Sequence, residues 1–194
     1  LEIGDRTVIE PSSGNTGIAL ACVANALGIP VEIAVPERIP EEKKVMLRFL
    51  GVKVTEADDA LCPLFPTEGA RGIVNALIKS PATKDRYISP NQYENELNVQ
   101  AHYRTTGPEI WQQTDGKITH FVSAMGTTGT IMGVSRYLKE KNPKIQIVGV
   151  QPEEGASIPG IRRWPEAYLP GIYEAARVDR TLDVSQQDAE QTTR

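Results

Sequence analysis

Short apolar runs alternate along the whole chain with longer segments of helical composition. The runs are rich in valine and isoleucine, as is typical of strands in a parallel sheet. Several of the segments between them end at a glycine, which is typical of a helix C-terminus. The pattern predicts strands at 7–10, 31–35, 52–54, 87–88, 119–122, 145–150 and 177–184. It predicts helices at 15–27, 40–50, 66–78, 94–113 and 130–141, with a new helix starting at Pro108 and another starting after Ser185.

This alternation predicts an α/β fold of two three-layer αβα units with mainly parallel, twisted sheets. The segment from Glu153 to Tyr173 is rich in proline and glycine and shows no period, so we expect a long loop. A polar run follows the strand at 87–88 and marks a boundary between two units. We therefore expect a smaller α/β domain at 1–95 and part of a larger one at 96–194.

Composition narrows the class of protein. Of the 194 residues 40% are apolar and 24% are charged, which is typical of soluble globular chains. The net charge of −4 gives no electrostatic footprint for nucleic acid. No apolar run approaches the roughly 18 residues of a membrane span. With two cysteines and no histidine partners at ligand spacing, we expect a cytoplasmic protein without a metal site and with no nucleic-acid or membrane partner.

Two predicted strand-to-helix turns have the same chemistry. Residues 9–17 read IEPSSGNTG and residues 121–130 read FVSAMGTTGT, each leading into a helix. Glycine lets the backbone approach a ligand closely, and the free N–H groups at a helix start favour an anion. In an α/β sheet such turns lie at the carboxyl ends of strands, where ligands bind. Two of them suggest a ligand with two anionic ends or a cofactor plus a substrate, although either could be a tight turn with an ordinary cap.

Neither turn matches a standard nucleotide motif. A P-loop would need Gly-Lys-Ser/Thr, which both lack, and neither is a complete Gly-x-Gly-x-x-Gly. The second turn could be a degenerate dinucleotide site of a Rossmann-like dehydrogenase, with Glu153 as the ribose acid, but Ala124 stands where the first glycine belongs. A non-catalytic α/β module that binds an anion or a partner protein is a further alternative.

Several motifs together resemble one enzyme family. The sequence SSGNTGIALA at 12–21 resembles the asparagine loop of the cysteine synthases, which are fold-type II pyridoxal-phosphate enzymes. The sequence GTTGT at 126–130 is similar to their phosphate cradle, and TTGPEIW at 105–111 is similar to a further signature segment. The sequence SIPGIRRWP at 157–165 resembles the B-type rather than the A-type enzymes. These motifs cover nearly the whole chain in the family's order.

The resemblance implies a role for each matching residue. The cofactor phosphate would be held by Gly126, Thr127, Thr128, Gly129 and Thr130. Asn15 would hydrogen-bond the ring oxygen of pyridoxal 5'-phosphate. The substrate α-carboxylate would be bound by Ser12, Ser13, Asn15, Thr16 and Gln92. Arg162 and Arg163 would bind an oxyanionic sulfur donor, and Trp164 would anchor their loop or wall the pocket.

The implied reaction is a β-replacement in cysteine biosynthesis. O-acetyl-L-serine would lose acetate, and sulfide or thiosulfate would add to give L-cysteine or S-sulfocysteine. The family is usually homodimeric, so a homodimer is expected for the full-length enzyme.

One family feature has no counterpart here. The family's Schiff-base lysine lies upstream of the asparagine loop, but only ten residues precede Pro11 and none is lysine. The downstream Gly-x-Ser-Ser-Gly segment is also missing. The chain therefore resembles the interior of a longer enzyme, and we expect it alone to be inactive and to bind the cofactor weakly, without a covalent bond.

Overall fold

The computed structural model of the chain describes residues 3–58, 65–158 and 160–193. Two residues that the sequence assigns to loops, Cys62 and Pro159, lie outside this part. The chain divides into two compact units, Leu1–Asn91 and Gln92–Arg194. The polar segment 92–95, which the sequence analysis assigns to the first domain, lies in the second unit. Along the part of the chain that the structure describes, no helix has the length and apolar character of a membrane span.

The first unit is built on a parallel four-stranded sheet with the strand order β3-β2-β1-β4. Its strands are β1 (Thr7–Pro11), β2 (Val31–Pro36), β3 (Lys53–Ala57) and β4 (Tyr87–Ile88). Its helices are α1 (Asn15–Leu27), α2 (Glu41–Phe49) and α3 (Gly69–Lys79).

Both faces of this sheet are covered, which explains why β1 and β2 are apolar at nearly every position. Side chains alternate between faces along a strand. Val8 and Ile33 pack with residues of α1 and α2 on one face. Ile9 and Ala34 pack with residues of α3 on the other. The first unit is therefore a three-layer αβα arrangement.

The second unit has a parallel three-stranded sheet with the order β5-β6-β7. Its strands are β5 (His120–Ala124), β6 (Gln146–Pro152) and β7 (Arg180–Val184). Its helices are α4 (Glu96–Arg104), α5 (Thr106–Gln113), α6 (Gly129–Lys141) and α7 (Gln186–Thr193). The buried side of α6 packs with Val99 of α4 and Ile147 of β6 in one core. On the opposite face of the sheet Val122 keeps 58% of its accessible surface.

The predicted α/β fold with parallel sheets is confirmed, and the differences lie at element ends. The helix expected over 94–113 is broken at Thr105, not at Gly107. Proline has no N–H to donate, so it fits only the first turn of a helix. Pro108 is the third residue of α5, and the break must therefore precede it.

The last strand begins at Arg180, three residues later than predicted. Residues Ala175–Arg177 form a 3-10 turn instead. Just before the strand, Asp179 bonds to Ile147 through both backbone and side chain: its amide donates to Ile147 O at 2.9 Å, and its carboxylate accepts the Ile147 N–H at 2.7 Å and pairs with Lys139 at 2.8 Å. The same contacts, with Lys139 as the larger cause, lower the pKa of Asp179.

Two glycines let the helices of the second unit pack closely. A Cβ on Gly133 of α6 would collide with the backbone carbonyl of Val99 in α4. A Cβ on Gly107 of α5 would lie 2.7 Å from the Tyr137 Cβ. These positions set how near α4 and α5 lie to α6.

An ion-pair cluster joins α4 and α6 to the segment before β7. Arg136 pairs with Glu96 and Glu174, and Glu174 also accepts from the Arg177 Nε at 2.7 Å. The hydrogen bonds from Arg136 are the main reason that the pKa values of both carboxyls are lowered.

Replacing Gly133 by alanine should destabilise the protein, because the new methyl group meets a helix backbone that cannot rotate away. We expect Gly133→Ala to lower the free energy of unfolding by about 1–3 kcal/mol, as overpacking in cores does. Chemical denaturation would measure it, with Lys141→Ala at the exposed end of the same helix as the control. Equal stabilities for both variants would contradict the close contact.

Acidification should weaken the Arg136 cluster. The folded pKa values of Glu96 and Glu174 are lowered, so their stabilisation is complete above the unfolded glutamate pKa of about 4.3 and is lost as the pH falls through the folded values. We expect the free energy of unfolding to fall less steeply with acidification in Arg136→Met than in the unchanged protein. Denaturation at a series of pH values tests this, with the exposed Lys117→Met as control. Parallel pH profiles for Arg136→Met and the unchanged protein would contradict it.

Candidate functional site

The asparagine loop lies between β1 and α1 in the first unit. The Ser12 amide donates to Ala34 O at 3.0 Å and so extends the ladder beyond β1. The Ser12 hydroxyl accepts the amides of Gly17 at 3.0 Å and Gly14 at 3.4 Å. Ser12 is therefore the side chain that caps the start of α1.

This cap leaves polar groups at the start of α1 that could face an anion. Because the Ser12 oxygen accepts both amides, its hydrogen can be donated elsewhere. Asn15 is the first residue of the helix and is exposed, while Ser13 and Thr16 are half-buried beside it. A Cβ on Gly17 would lie 3.2 Å from the Ile33 Cγ2, so glycine lets the helix start close to β2.

A residue that the sequence analysis did not single out supports this region. Glu10 is fully buried at the end of β1. Its carboxylate accepts from the Ser89 hydroxyl at 2.8 Å and the Asn91 amide at 2.9 Å. The sequence signal for this residue is an acid that directly follows the apolar pair Val8-Ile9 in a predicted strand. A charge in a strand that is covered on both faces needs specific partners.

The phosphate loop, residues 125–128, lies between β5 and α6 in the second unit. The Met125 amide donates to Val150 O at 2.9 Å, after which the chain leaves the sheet. Thr128 precedes α6 with a left-handed φ of 72°, which is costly for a β-branched residue. The Met132 amide donates to Thr128 O at 3.0 Å. The amides from Thr128 to Ile131 precede this bond and have no helical carbonyl to bind.

The hydroxyl of Thr128 indicates whether this loop fits a phosphate. Its hydroxyl oxygen is buried and has no hydrogen-bond partner within the described ranges. A buried hydroxyl without a partner costs free energy unless a ligand satisfies it. A phosphate has several oxygens that accept hydrogen bonds, and a helix start with free amides is the usual site for one. The loop therefore fits the phosphate of pyridoxal phosphate.

Two side chains of helix α4 contact threonines in and just after the phosphate loop. The Asn98 side-chain amide donates to the Thr127 hydroxyl at 3.1 Å and to Gln92 O at 2.9 Å. His102, one turn further, contacts the Thr130 hydroxyl through Nε2 at 3.2 Å. Burial lowers the pKa of His102, so its imidazole is neutral near pH 7. Sequence analysis identified Gln92 and the threonines but not Asn98.

The arginine loop, residues 160–164, is attached to the same turn. The Arg162 amide donates to Met125 O at 2.8 Å, and the Trp164 Nε1 donates to Gly126 O at 2.8 Å. The Trp164 ring also meets Tyr93 edge to face at 5.6 Å. These contacts seat Trp164 as an anchor of the loop.

The two arginines have different surroundings. Arg163 pairs with Asp183 at 2.8 Å and donates to Pro152 O at 3.2 Å. The Arg162 guanidinium donates to the carbonyl of its neighbour Ile161 at 2.9 Å.

Within each unit the structure brings together part of the predicted set. Ser12, Ser13, Asn15 and Thr16 lie together at the start of α1. In the second unit, contacts connect the phosphate loop to Gln92 through Asn98, and to Trp164 directly. No group of acidic, histidine or cysteine side chains suited to a metal ion occurs in the described part of the chain.

Comparison with known proteins identifies the family. A family model described as pyridoxal-phosphate dependent enzyme matches residues 1–192. The chain is 50% identical to cysteine synthase B of Pseudomonas aeruginosa over 190 residues, which are 97% of this chain and 60% of that protein. It is 49% identical to cysteine synthase B of Escherichia coli over 190 residues, covering 96% of this chain and 59% of that protein.

A solved structure gives the same result for the fold. The crystal structure of a cysteine synthase from Entamoeba histolytica matches with a TM-score of 0.83 at 34% identity, covering 96% of this chain and 55% of that structure. The chain spans about 60% of the length of these two curated relatives. It carries the fold-type II architecture and both glycine-rich turns, and it belongs to the family of pyridoxal-phosphate dependent enzymes.

Proposed function

We propose that the protein carrying this chain is a cysteine synthase that uses pyridoxal phosphate to replace the acetoxy group of O-acetyl-L-serine by a sulfur nucleophile. The strained Thr128, with its buried hydroxyl lacking a partner in the described structure, carries the proposal. The likeness of residues 126–130 to the family's phosphate cradle supports this position. The identity of about half of the residues to cysteine synthase B supports this reaction within the family.

The phosphate loop supplies the donors for the cofactor. When bound, pyridoxal phosphate provides the conjugated ring that accepts the electron pair released at the substrate α-carbon. Amides at the start of α6 and the hydroxyls of Thr127, Thr128 and Thr130 would hold the phosphate, and Gly126 and Gly129 would leave room for the backbone to approach it.

The start of α1 binds the substrate carboxylate. The positive end of the helix dipole, the Ser12 hydroxyl hydrogen and the Asn15 amide all favour a negative charge there. Ser13 and Thr16 lie beside them, and the resemblance would add Gln92 to this set and assign Asn15 a hydrogen bond to the cofactor. Binding of the carboxylate fixes the orientation of the substrate. Holding the substrate in its reactive orientation raises the rate.

The arginine loop determines the sulfur donor in this proposal. Sulfide needs no cation for binding, whereas thiosulfate carries oxygens that match a guanidinium. The Arg163 guanidinium pairs with Asp183, while the Arg162 guanidinium donates to the carbonyl of its neighbour Ile161 and pairs with no carboxylate among the described residues. We therefore assign the thiosulfate contact to Arg162 and a supporting role to Arg163.

The remaining expectations are proposals for the whole protein. The chain spans about 60% of its relatives, so activity is proposed for the full-length enzyme, which we expect to be a cytoplasmic homodimer. A non-catalytic anion-binding module is the second candidate, because a helix start with free amides can hold an anion without a reaction. The Rossmann-like alternative is set aside because the family model that matches is pyridoxal-phosphate dependent.

Loss of the Asn15 amide should reduce turnover without unfolding the protein. In the full-length enzyme we expect Asn15→Ala to lower kcat/KM for O-acetyl-L-serine with sulfide by about ten- to a hundredfold, the effect of losing a hydrogen bond to a charged group. Cysteine formation measures the rate. Asn25→Ala is the matched control, since Asn25 lies on the same helix and contacts Leu50 O instead. Activity of Asn15→Ala equal to that of this control would remove Asn15 from the site, and no activity in the unchanged full-length protein would favour the non-catalytic module.

Substitution of the two arginines should have different effects on the rates with thiosulfate and with sulfide. We expect Arg162→Ala to lower the rate with thiosulfate about tenfold or more while the rate with sulfide changes little, because only thiosulfate uses the charge. Arg163→Ala should lower both rates by a similar, smaller factor, since it loosens the loop. S-sulfocysteine and cysteine production measure the two reactions. A larger selective loss in Arg163→Ala would reverse the assignment.

A further inference from the structure

Asn98 on α4 is oriented by its own contacts. Its side-chain nitrogen lies 2.9 Å from Gln92 O and 3.1 Å from the Thr127 Oγ1. A carbonyl oxygen can only accept, so the NH2 group, and not the amide oxygen, must face Gln92. The NH2 group has two hydrogens, and these two contacts use both. Asn98 is therefore a donor toward Thr127.

This donation sets the direction of the Thr127 hydroxyl. A hydroxyl has one hydrogen to donate and two lone pairs to accept with. The Thr127 oxygen accepts from Asn98 and, at 3.5 Å, from the Gly129 amide. Both contacts use lone pairs, so the hydrogen of Thr127 remains for a third group.

Close packing prevents Asn98 from turning away. A Cβ on Gly129 would collide with the Asn98 side chain, so this amide fills the space over the first residue of α6. Asn98 is also the third residue of α4, whose start is capped by the Asn95 side chain accepting from the Leu97 amide at 3.0 Å. Its position is thus determined from both helices.

We propose that Asn98 is a positioning residue that presents the Thr127 hydroxyl as a donor to an anionic phosphate in the phosphate loop. The proposal rests on the proposed function, in which that phosphate belongs to pyridoxal phosphate. His102 contacts Thr130 from the same face of α4, but a neutral imidazole nitrogen either donates or accepts. Asn98 differs because Gln92 leaves its amide only one orientation.

Cofactor binding to the full-length protein, stripped of cofactor, tests this role. Titration with pyridoxal phosphate and with pyridoxal, which lacks the phosphate, separates contacts to the phosphate from contacts to the ring. We expect Asn98→Ala to weaken binding of pyridoxal phosphate about tenfold. Pyridoxal binding should change less than about twofold. Gln100→Ala is the control, because its amide lies on the same helix but donates to Glu96.

A double-mutant cycle shows whether Asn98 acts through Thr127. In a Thr127→Val background, Asn98→Ala should weaken pyridoxal phosphate binding by less than about twofold further. Asn98→Asp is the second variant, with nearly the same volume over Gly129. Its carboxylate would accept the Thr127 hydrogen and repel the phosphate, so the affinity should fall further than in Asn98→Ala.

The outcomes separate this role from the proposed function. Equal losses for pyridoxal phosphate and pyridoxal, or a full Asn98→Ala effect in the Thr127→Val background, would overturn the role of Asn98. A preference for the phosphorylated cofactor that is undiminished in both Asn98 variants would overturn it too and leave the proposed function standing. An unchanged protein with no such preference would overturn both.

Discussion

The close approach of α4 and α6 is the constraint on which the second unit depends. Gly133 has no room for a side chain against the α4 backbone, and Gly129 has none against Asn98. With these two contacts made, the residues of α4 that lie one turn apart, Asn98 and His102, face the start of α6. Asn98 then contacts Thr127 of the phosphate loop, and His102 contacts Thr130 in the first turn of α6.

The same packing explains how the strain at Thr128 is tolerated. A left-handed β-branched residue persists only when its surroundings determine the conformation from several sides. Here Asn98 holds Thr127 on one side, and Trp164 and the Arg162 amide hold Gly126 and Met125 on the other. The loop is thus shaped before a ligand binds, and less free energy is lost in ordering it.

The two glycine-rich turns look alike in sequence, but they differ in the hydrogen bonding of one hydroxyl in each. In the first unit Ser12 accepts two backbone amides and caps α1. In the second unit the Thr128 hydroxyl is buried without a partner among the described residues. The first turn is a satisfied cap, whereas the second leaves a buried polar group that a ligand could satisfy.

The sequence by itself determined the order of elements, the parallel sheets and the two glycine-rich strand-to-helix turns, because apolar runs, proline and glycine act locally. It also marked the helix C-terminus at Gly28, which has the expected left-handed conformation. The break at Thr105, the late start of β7, the buried Glu10 and the support from Asn98 were decided only by the tertiary structure. Each depends on a partner that is distant along the chain or on which face a side chain occupies. An asparagine in a helix looks the same in sequence whether it points to water or, as Asn98 does, to a threonine 29 positions away.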